Sequence, residues 1–198
     1  MNIVAGCRCL QDKISDLETY LITSKRKIAI LCCLLLLVSC QAKNQSTNIL
    51  TEVKIARVVS GQTLEVVGMA EQPNWISQVR LIGVDAPDSP QLPWGNDAKE
   101  MLEKLIDTPQ KPIKLEFDLE AKDKFGRTLA YASKDQVFLN EQVLKQGYAL
   151  FVARSPNHKY DNRLENAQQW ARLMGKGIWN PEKPMMRLTP GEFRRMYR

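Results

Sequence analysis

Two arginines and two aspartates lie in two short segments, and their side chains suit phosphodiester chemistry. Arg80, Asp85 and Asp88 lie in VRLIGVDAPD, and Arg127 ends DKFGR. Guanidinium groups are planar, permanently charged and bind phosphate oxygens in pairs. A carboxylate can orient or deprotonate water, and it can also hold a hard cation. The same four side chains could instead form two structural salt bridges at strand ends, which are common on protein surfaces.

The composition fits a globular domain that could bind a polyanion. The 198 residues are 44% hydrophobic and 25% charged, with a formal net charge of +6. This composition supports a packed core and argues against wholesale disorder. A basic surface is compatible with nucleic acid, although many basic proteins bind none. All five cysteines lie at or before position 40 and there is one histidine, so disulfides and zinc sites are excluded beyond Cys40.

The N-terminal segment has the pattern of a bacterial export signal. A basic cluster at 25–27 precedes an apolar stretch at 28–38 that is shorter than a typical membrane-spanning helix. The stretch ends in LVSC, which resembles the lipobox, where signal peptidase cuts before an acylated cysteine. We therefore predict a lipoprotein signal peptide at 1–39, lipidation of Cys40 and a polar tether at 40–50. A retained membrane anchor is the alternative.

These features predict a location outside the cytoplasm. A lipid on Cys40 would anchor the chain to a membrane of the bacterial cell envelope. Gln41 follows the cysteine where an aspartate would favour inner-membrane retention, so the sequence slightly favours the outer membrane. No feature of the sequence predicts a protein partner.

After the tether, the sequence predicts short strands mixed with helices. Five segments have the alternation or β-branched content of strands: 52–59, 63–67, 75–84, 113–120 and 127–133. Three segments have helical character: 98–106 with Asn96 or Asp97 as N-cap, 139–147 and 164–174. This arrangement predicts an α+β fold with a small antiparallel barrel and about three packed helices, and the five-stranded OB-fold barrel is one such design. We expect the domain to span 51–180 and a basic tail to occupy 181–198.

Motifs along the chain resemble those of the thermonuclease (staphylococcal-nuclease-like) family. In the family's order they are SGQT, VRLIGVDAPD, QLPWGNDA, DKFGRTLAY, LNEQVLKQGYA and GKGIWN, all within 52–180. The resemblance implies an OB-fold endonuclease that uses Ca²⁺ to hydrolyse DNA or RNA and leaves 3′-phosphate ends. Arg80 and Arg127 match the family's catalytic arginines, which would stabilise charge on the phosphate. Asp85 and the backbone carbonyl of Ala86 match its metal ligands.

Two positions depart from the family pattern. Gln62 replaces a second metal-binding aspartate, so it offers a carbonyl oxygen but removes one negative charge. Asp88 replaces a glutamate that orients or deprotonates the attacking water. Phe125 matches an aromatic of the family's base pocket, although it could equally cover the core from a turn. Lys124 beside it could guide the nucleic acid.

Two other functions are compatible with the sequence. The first is a nucleic-acid-binding OB-fold lipoprotein that is catalytically weak or inactive, which Gln62 favours. The second is a structural envelope lipoprotein that uses the barrel only as a scaffold. The nuclease interpretation requires the two arginines and the two aspartates to face one common cleft.

Overall fold

A computed structural model describes residues 50–69, 74–107 and 111–197 of the chain. The predicted signal peptide at 1–39, Cys40 and the tether up to residue 49 lie outside the described residues. Within the described ranges, no helix combines the length and the apolar character needed to cross a membrane.

The described residues form short strands, four α-helices and one 3₁₀-helix at Gly177–Trp179. The strands are β1 (Leu50–Ser60), β2 (Thr63–Val67), β3 (Ser77–Leu81), β4 (Val84–Asp85), β5 (Ile113–Glu116), β6 (Thr128–Lys134), β7 (Val137–Phe138) and β8 (Leu150–Phe151). The helices are α1 (Trp94–Ile106), α2 (Leu139–Lys145), α3 (Asp161–Leu173) and α4 (Pro190–Tyr197).

Five of the strands form a closed barrel. They are antiparallel in the order β3-β2-β1-β5-β6, and a parallel pairing of β3 with β6 closes the barrel. The first part of β1 pairs with β5 and the rest pairs with β2, with register shifts after Ile55 and Val58. Such irregularities bend a strand, which lets β1 serve both neighbours. The predicted α+β fold with a five-stranded barrel is therefore confirmed.

One apolar core joins the barrel to its helices. Leu64 of β2 and Leu115 of β5 point inward and are fully buried. Helix α1 contributes Ala98, Leu102 and Ile106, which recur every four residues on one buried face. These residues make α1 a rigid support for the loop that precedes it.

A buried side chain ties α2 to the barrel. Asn140 is fully buried, and its amide nitrogen donates to the carbonyl of Ile82 at 2.8 Å. Its amide oxygen accepts a hydrogen bond from the backbone N–H of Ala132 at 2.9 Å. Asn140 therefore connects the end of β3 with β6 through a helix.

Two predicted strands are too long. The segment 75–84 is two strands, because Gly83 adopts a φ of 75° in the turn between β3 and β4. The segment 113–120 ends its ladder at Glu116, where pairing with β1 and β6 stops. Leu119 is 79% exposed, so the apolar alternation there does not mark a core-facing position.

Two helix predictions also need correction. Helix α1 begins at Trp94, so Asn96 and Asp97 lie inside its first turn and do not cap it. Asp97 is favourable there because its charge opposes the helix dipole. The basic tail at 181–198 contains α4, which the sequence pattern did not predict.

We predict that Asn140→Ala lowers the free energy of unfolding by about 2–4 kcal/mol, because it leaves a buried N–H and a buried C=O without partners. Urea denaturation followed by circular dichroism measures this change. Asn162→Ala, at an exposed position of α3, should change it by less than about 0.5 kcal/mol. Equal effects of the two substitutions would contradict the assigned role of Asn140.

Candidate active site

Arg80, Asp85, Asp88 and Arg127 line one cleft of about 940 Å³. The nuclease interpretation required these four side chains to face one common cleft, and the structure places them there. The barrel topology explains how distant segments meet here. Arg80 of β3 is in register with Leu129 of β6, and Arg127 immediately precedes β6.

The Arg80 guanidinium is buried and incompletely paired. Its Nη2 donates to Oδ1 of Asp85 at 3.3 Å, whereas its buried Nη1 has no hydrogen-bond partner among the described residues. Burial lowers the pKa of Arg80 to about 10; Asp85 opposes this change, and the charges of Arg127, Arg194 and Arg154 add to it. Arg80 therefore stays protonated at neutral pH and has a donor available for an anion.

Asp123 fixes the direction of Arg127. Arg127 donates through Nε and Nη2 to Oδ2 of Asp123, at 2.8 and 2.7 Å. The other carboxylate oxygen accepts from the backbone N–H groups of Phe125 and Arg127, at 2.9 and 3.0 Å. Burial acts to raise the pKa of Asp123, but these hydrogen bonds hold the pKa below its ordinary value. Sequence reasoning did not assign this positioning role, although the D-x-x-x-R spacing was a usable signal.

Asp85 is held by a two-stranded ribbon. It lies at the end of β4, opposite Leu150 of β8, and is only 8% exposed. Its Oδ1 faces two guanidinium groups, those of Arg80 at 3.3 Å and Arg194 at 2.5 Å. A single carboxylate oxygen thus contacts two partly buried guanidinium groups, and its one negative charge balances only one of the two positive charges.

Gln62 holds the loop that carries Asp85. Its side-chain oxygen accepts a hydrogen bond from the backbone N–H of Ala86 at 2.6 Å. Gly61 permits this approach, since a Cβ there would lie 2.6 Å from Cβ of Ala98 and 3.0 Å from Cβ of Ala86. The turn between β1 and β2 therefore packs directly on α1 and places Gln62 beneath the site.

The Asp88 loop rests on the first turn of α1. A Cβ at Gly95 would lie 2.1 Å from the carbonyl oxygen of Asp88, so only glycine fits. This contact fixes the backbone of Asp88 at the cleft. Oδ1 of Asp88 lies 3.3 Å from Nη1 of Arg194.

Arg194 was missed by the sequence analysis. It belongs to α4, 109 residues from Asp85, and its one guanidinium group contacts both Asp85 and Asp88. The only sequence signal was the basic character of the tail, which does not identify a partner at this distance.

Phe125 and Lys124 stand at the edge of the cleft. Phe125 is 64% exposed and lines the cleft, so it does not cover the core. Nζ of Lys124 and Cζ of Arg127 lie 5.1 and 5.4 Å from its ring centroid. An exposed aromatic ring with two cations nearby is suited to stacking on a base beside a phosphate.

The oxygen donors fit a weakly held hard cation. Asp85 and Asp88 already share one positively charged group, so their geometry suits a cation. Asp85 and the Ala86 carbonyl are oxygen donors of the kind that Ca²⁺ prefers. Within the described ranges, no cluster of three or more His, Cys, Asp or Glu could hold a metal ion. Gln62 adds no charge, and its oxygen already accepts from Ala86.

We predict that Asp123→Asn destabilises the protein at pH 7 by about 1.5–3 kcal/mol, the usual contribution of hydrogen bonds to a charged group. A lowered pKa contributes stability above the ordinary value of 3.8, and this contribution is lost as the pH falls through the lowered pKa. The difference in the free energy of unfolding between wild type and variant should therefore shrink as the pH falls below 3.8. Urea denaturation across a pH series measures this difference.

Asp135→Asn is the matched control, because Asp135 is an exposed carboxylate paired with Lys111 at 3.4 Å. It should change stability by less than about 0.5 kcal/mol at every pH. A pH-independent difference for Asp123→Asn would argue against the lowered pKa.

The chain is similar to nucleases of known families. The sequence profile described as "Staphylococcal nuclease homologue" matches residues 78–181. The chain is 37% identical to the thermonuclease of Staphylococcus hyicus over 132 residues, which cover 64% of this chain and 75% of that protein. It is 35% identical to the thermonuclease of Staphylococcus intermedius over 143 residues, which cover 69% of this chain and 82% of that protein. Endonuclease YncB of Bacillus subtilis is 30% identical to this chain over 146 residues, which cover 70% of this chain and 65% of that protein. With its barrel and its paired arginines, this chain belongs to the staphylococcal nuclease family.

Proposed function

We propose that the protein is a Ca²⁺-dependent endonuclease that hydrolyses DNA or RNA outside the cytoplasm and leaves 3′-phosphate ends. Membership of the family makes it a nuclease hydrolase. The metal, the product ends and the location are the proposed parts. One observation carries the reaction: Arg80 and Arg127 enter the same cleft as Asp85 and Asp88.

The arginines would bind the scissile phosphate. Arg80 has a buried Nη1 without a partner among the described residues, and a phosphate oxygen can accept from it. Arg127 is held in one direction by Asp123, so little side-chain entropy is lost when it binds. Both guanidiniums would stabilise the charge that builds up on the phosphate in the transition state.

The bond-breaking step needs an oriented water. A carboxylate oxygen of Asp88 would accept a proton from this water as the water oxygen attacks phosphorus. The P–O5′ bond breaks, the 5′-oxygen leaves and takes up a proton from solvent, and the phosphate stays on the 3′ side. Gly95 fixes the backbone position from which the Asp88 side chain, one methylene shorter than glutamate, would reach this water.

Asp85 and the carbonyl of Ala86 would hold Ca²⁺, with Gln62 keeping their loop in place. When bound, the ion would supply positive charge that favours the transition state. Since this chain offers fewer carboxylates than the family pattern, we expect weak binding with several water ligands.

The rim of the cleft would guide a single strand. Phe125 offers an exposed ring for stacking, and Lys124 and Arg154 also line the cleft. Stacking and phosphate contacts carry little sequence preference, which fits an enzyme that accepts many sequences.

We also propose that the enzyme is anchored in the bacterial cell envelope by a lipid on Cys40. The basic cluster, the short apolar stretch and the LVSC motif at 25–40 support this location. A lipid anchor would keep a secreted nuclease at the cell surface or in the periplasm.

A catalytically weak nucleic-acid-binding protein is the second candidate. The contact of Arg194 with both carboxylates and the missing charge at Gln62 favour it. Such a protein would bind single-stranded DNA in a salt-dependent manner without cutting it.

We predict that the purified protein degrades single-stranded DNA in the presence of Ca²⁺. Addition of a chelator should stop this degradation. Arg127→Ala should lower the cleavage rate at least about 100-fold, as expected for loss of a transition-state donor. A gel assay with end-labelled oligonucleotide measures both. The labelling pattern also tests for 5′-hydroxyl and 3′-phosphate ends.

Arg57→Ala is the matched control, because Arg57 is exposed on the barrel and pairs with Glu65. The cleavage rate of Arg57→Ala should stay within about twofold of the wild-type rate, because an exposed ion pair contributes little. Salt-dependent binding without any cleavage would favour the second candidate. Cleavage that survives Arg127→Ala would remove the proposed catalytic role of that residue.

We further predict that Gln62→Glu strengthens Ca²⁺ binding by about fivefold to tenfold, the effect of one added negative charge near a surface-accessible ion. Glutamate preserves the chain length, so an oxygen can still accept from Ala86. Isothermal titration calorimetry measures the affinity. Gln169→Glu, at an exposed position of α3, adds the same charge elsewhere and should leave it unchanged; an equal gain would show only a general charge effect.

A further inference from the structure

The C-terminal segment 181–197, here called the strap, contains helix α4, which lines one side of the cleft. Nη2 of Arg194 lies 2.5 Å from Oδ1 of Asp85, and Nη1 lies 3.3 Å from Oδ1 of Asp88. The side chain of Arg194 is 21% exposed, so this contact is partly shielded from solvent. One guanidinium thus bridges the carboxylates proposed to bind the metal and to activate water.

Helix α4 also approaches the second oxygen of Asp85. A Cβ at Gly191 would lie 4.0 Å from Oδ2 of Asp85, so the helix backbone lies near that oxygen. Phe193 and Tyr197 of the same helix line the cleft beside Arg80 and Arg127. The strap therefore occupies space near both the metal-binding oxygens and the phosphate-binding arginines.

From these contacts we infer that the strap is an autoinhibitory element in which Arg194 takes the place of the divalent cation. The inference rests on the proposed nuclease function of the cleft. Oδ1 of Asp85 accepts from Nη2 of Arg80 at 3.3 Å and from Nη2 of Arg194 at 2.5 Å, so neither of its two lone pairs is left for a cation while the strap is docked. Metal binding and strap docking are consequently mutually exclusive.

Before α4, the strap is held by an ion pair between Lys183 and Asp97 at 3.7 Å and by a hydrogen bond from Gln91. Gln91 is buried and donates to the carbonyl of Leu188 at 2.6 Å, which fixes the chain just before α4. Thr189 caps the helix and is bonded to Glu192 at 2.7 and 2.8 Å. These bonds preserve the helix but do not attach α4 itself to the cleft.

Little apolar surface of α4 is buried. Among its residues only Pro190 is buried and Phe193 is half-buried, whereas Met196 and Tyr197 are 65% and 66% exposed. Elements with few buried apolar contacts open at low free energy. The ion pairs of Arg194 are therefore a large share of what keeps α4 docked, and a cation at Asp85 releases it.

Arg194→Gln tests the inference, with Arg187→Gln as the matched control. Arg187 is exposed in the same segment and does not line the cleft. Arg194→Gln should bind Ca²⁺ at least about tenfold more tightly than wild type in isothermal titration calorimetry, within the usual range for coupled equilibria. Arg187→Gln should match the wild type. A chain ending at Thr189 removes α4 and should reproduce the gain if Arg194→Gln disturbs the fold.

Hydrogen exchange of the wild-type protein provides a second readout. Saturating Ca²⁺ should lower the protection of amides in α4, because the helix leaves the cleft. Equal Ca²⁺ affinities of wild type and Arg194→Gln, absence of Ca²⁺ binding by both, or unchanged protection of α4 would overturn the inference.

The same proteins separate this inference from the proposed function. If Arg194→Gln binds Ca²⁺ more tightly but no variant cleaves DNA, the result supports autoinhibition by the strap and contradicts the proposed Ca²⁺-dependent cleavage. If cleavage depends on Arg127 while wild type and Arg194→Gln bind Ca²⁺ equally, the result supports the proposed cleavage and contradicts autoinhibition by the strap.

Discussion

The site depends on the charge imbalance around one buried carboxylate. Asp85 is 8% exposed and its Oδ1 faces the guanidiniums of Arg80 and Arg194. Six basic side chains line the cleft against Asp85 and Asp88: Arg80, Lys124, Arg127, Arg154, Arg194 and Arg195. A cleft with this excess of positive charge favours an anionic ligand. A phosphodiester supplies the missing negative charge, which explains why the fold keeps several arginines close together despite their mutual repulsion.

Each charged group is held by a different kind of support. Closure of the barrel places Arg80, whereas a hydrogen-bonded turn centred on Asp123 directs Arg127. The ribbon of β4 and β8 carries Asp85, and the close contact at Gly95 fixes the Asp88 loop. Because four independent elements converge, the site is rigid before any ligand binds. Preorganised charges of this kind need little rearrangement during a reaction.

The sequence predicts the parts of this arrangement that depend on local patterns. Alternating apolar residues predicted the barrel strands, and the family motifs pointed to Arg80 and Arg127. The boundaries of β3 and β5 could not be predicted, because tertiary pairing and the backbone of Gly83 decide where each ladder ends. Arg194 was out of reach for another reason. A short basic helix carries no local information about a carboxylate 109 residues away, so only the tertiary structure identifies its partner.

The parallel pair of β3 and β6 has a consequence for the newly made protein. This pair closes the barrel, and it also brings Arg80 beside the segment that begins with Arg127. A slip of one residue would turn Arg80 to the opposite face of the sheet. Bringing Arg80 and Arg127 together is therefore the same event as completion of the barrel. A chain in which this pair has not yet formed therefore lacks the assembled cleft.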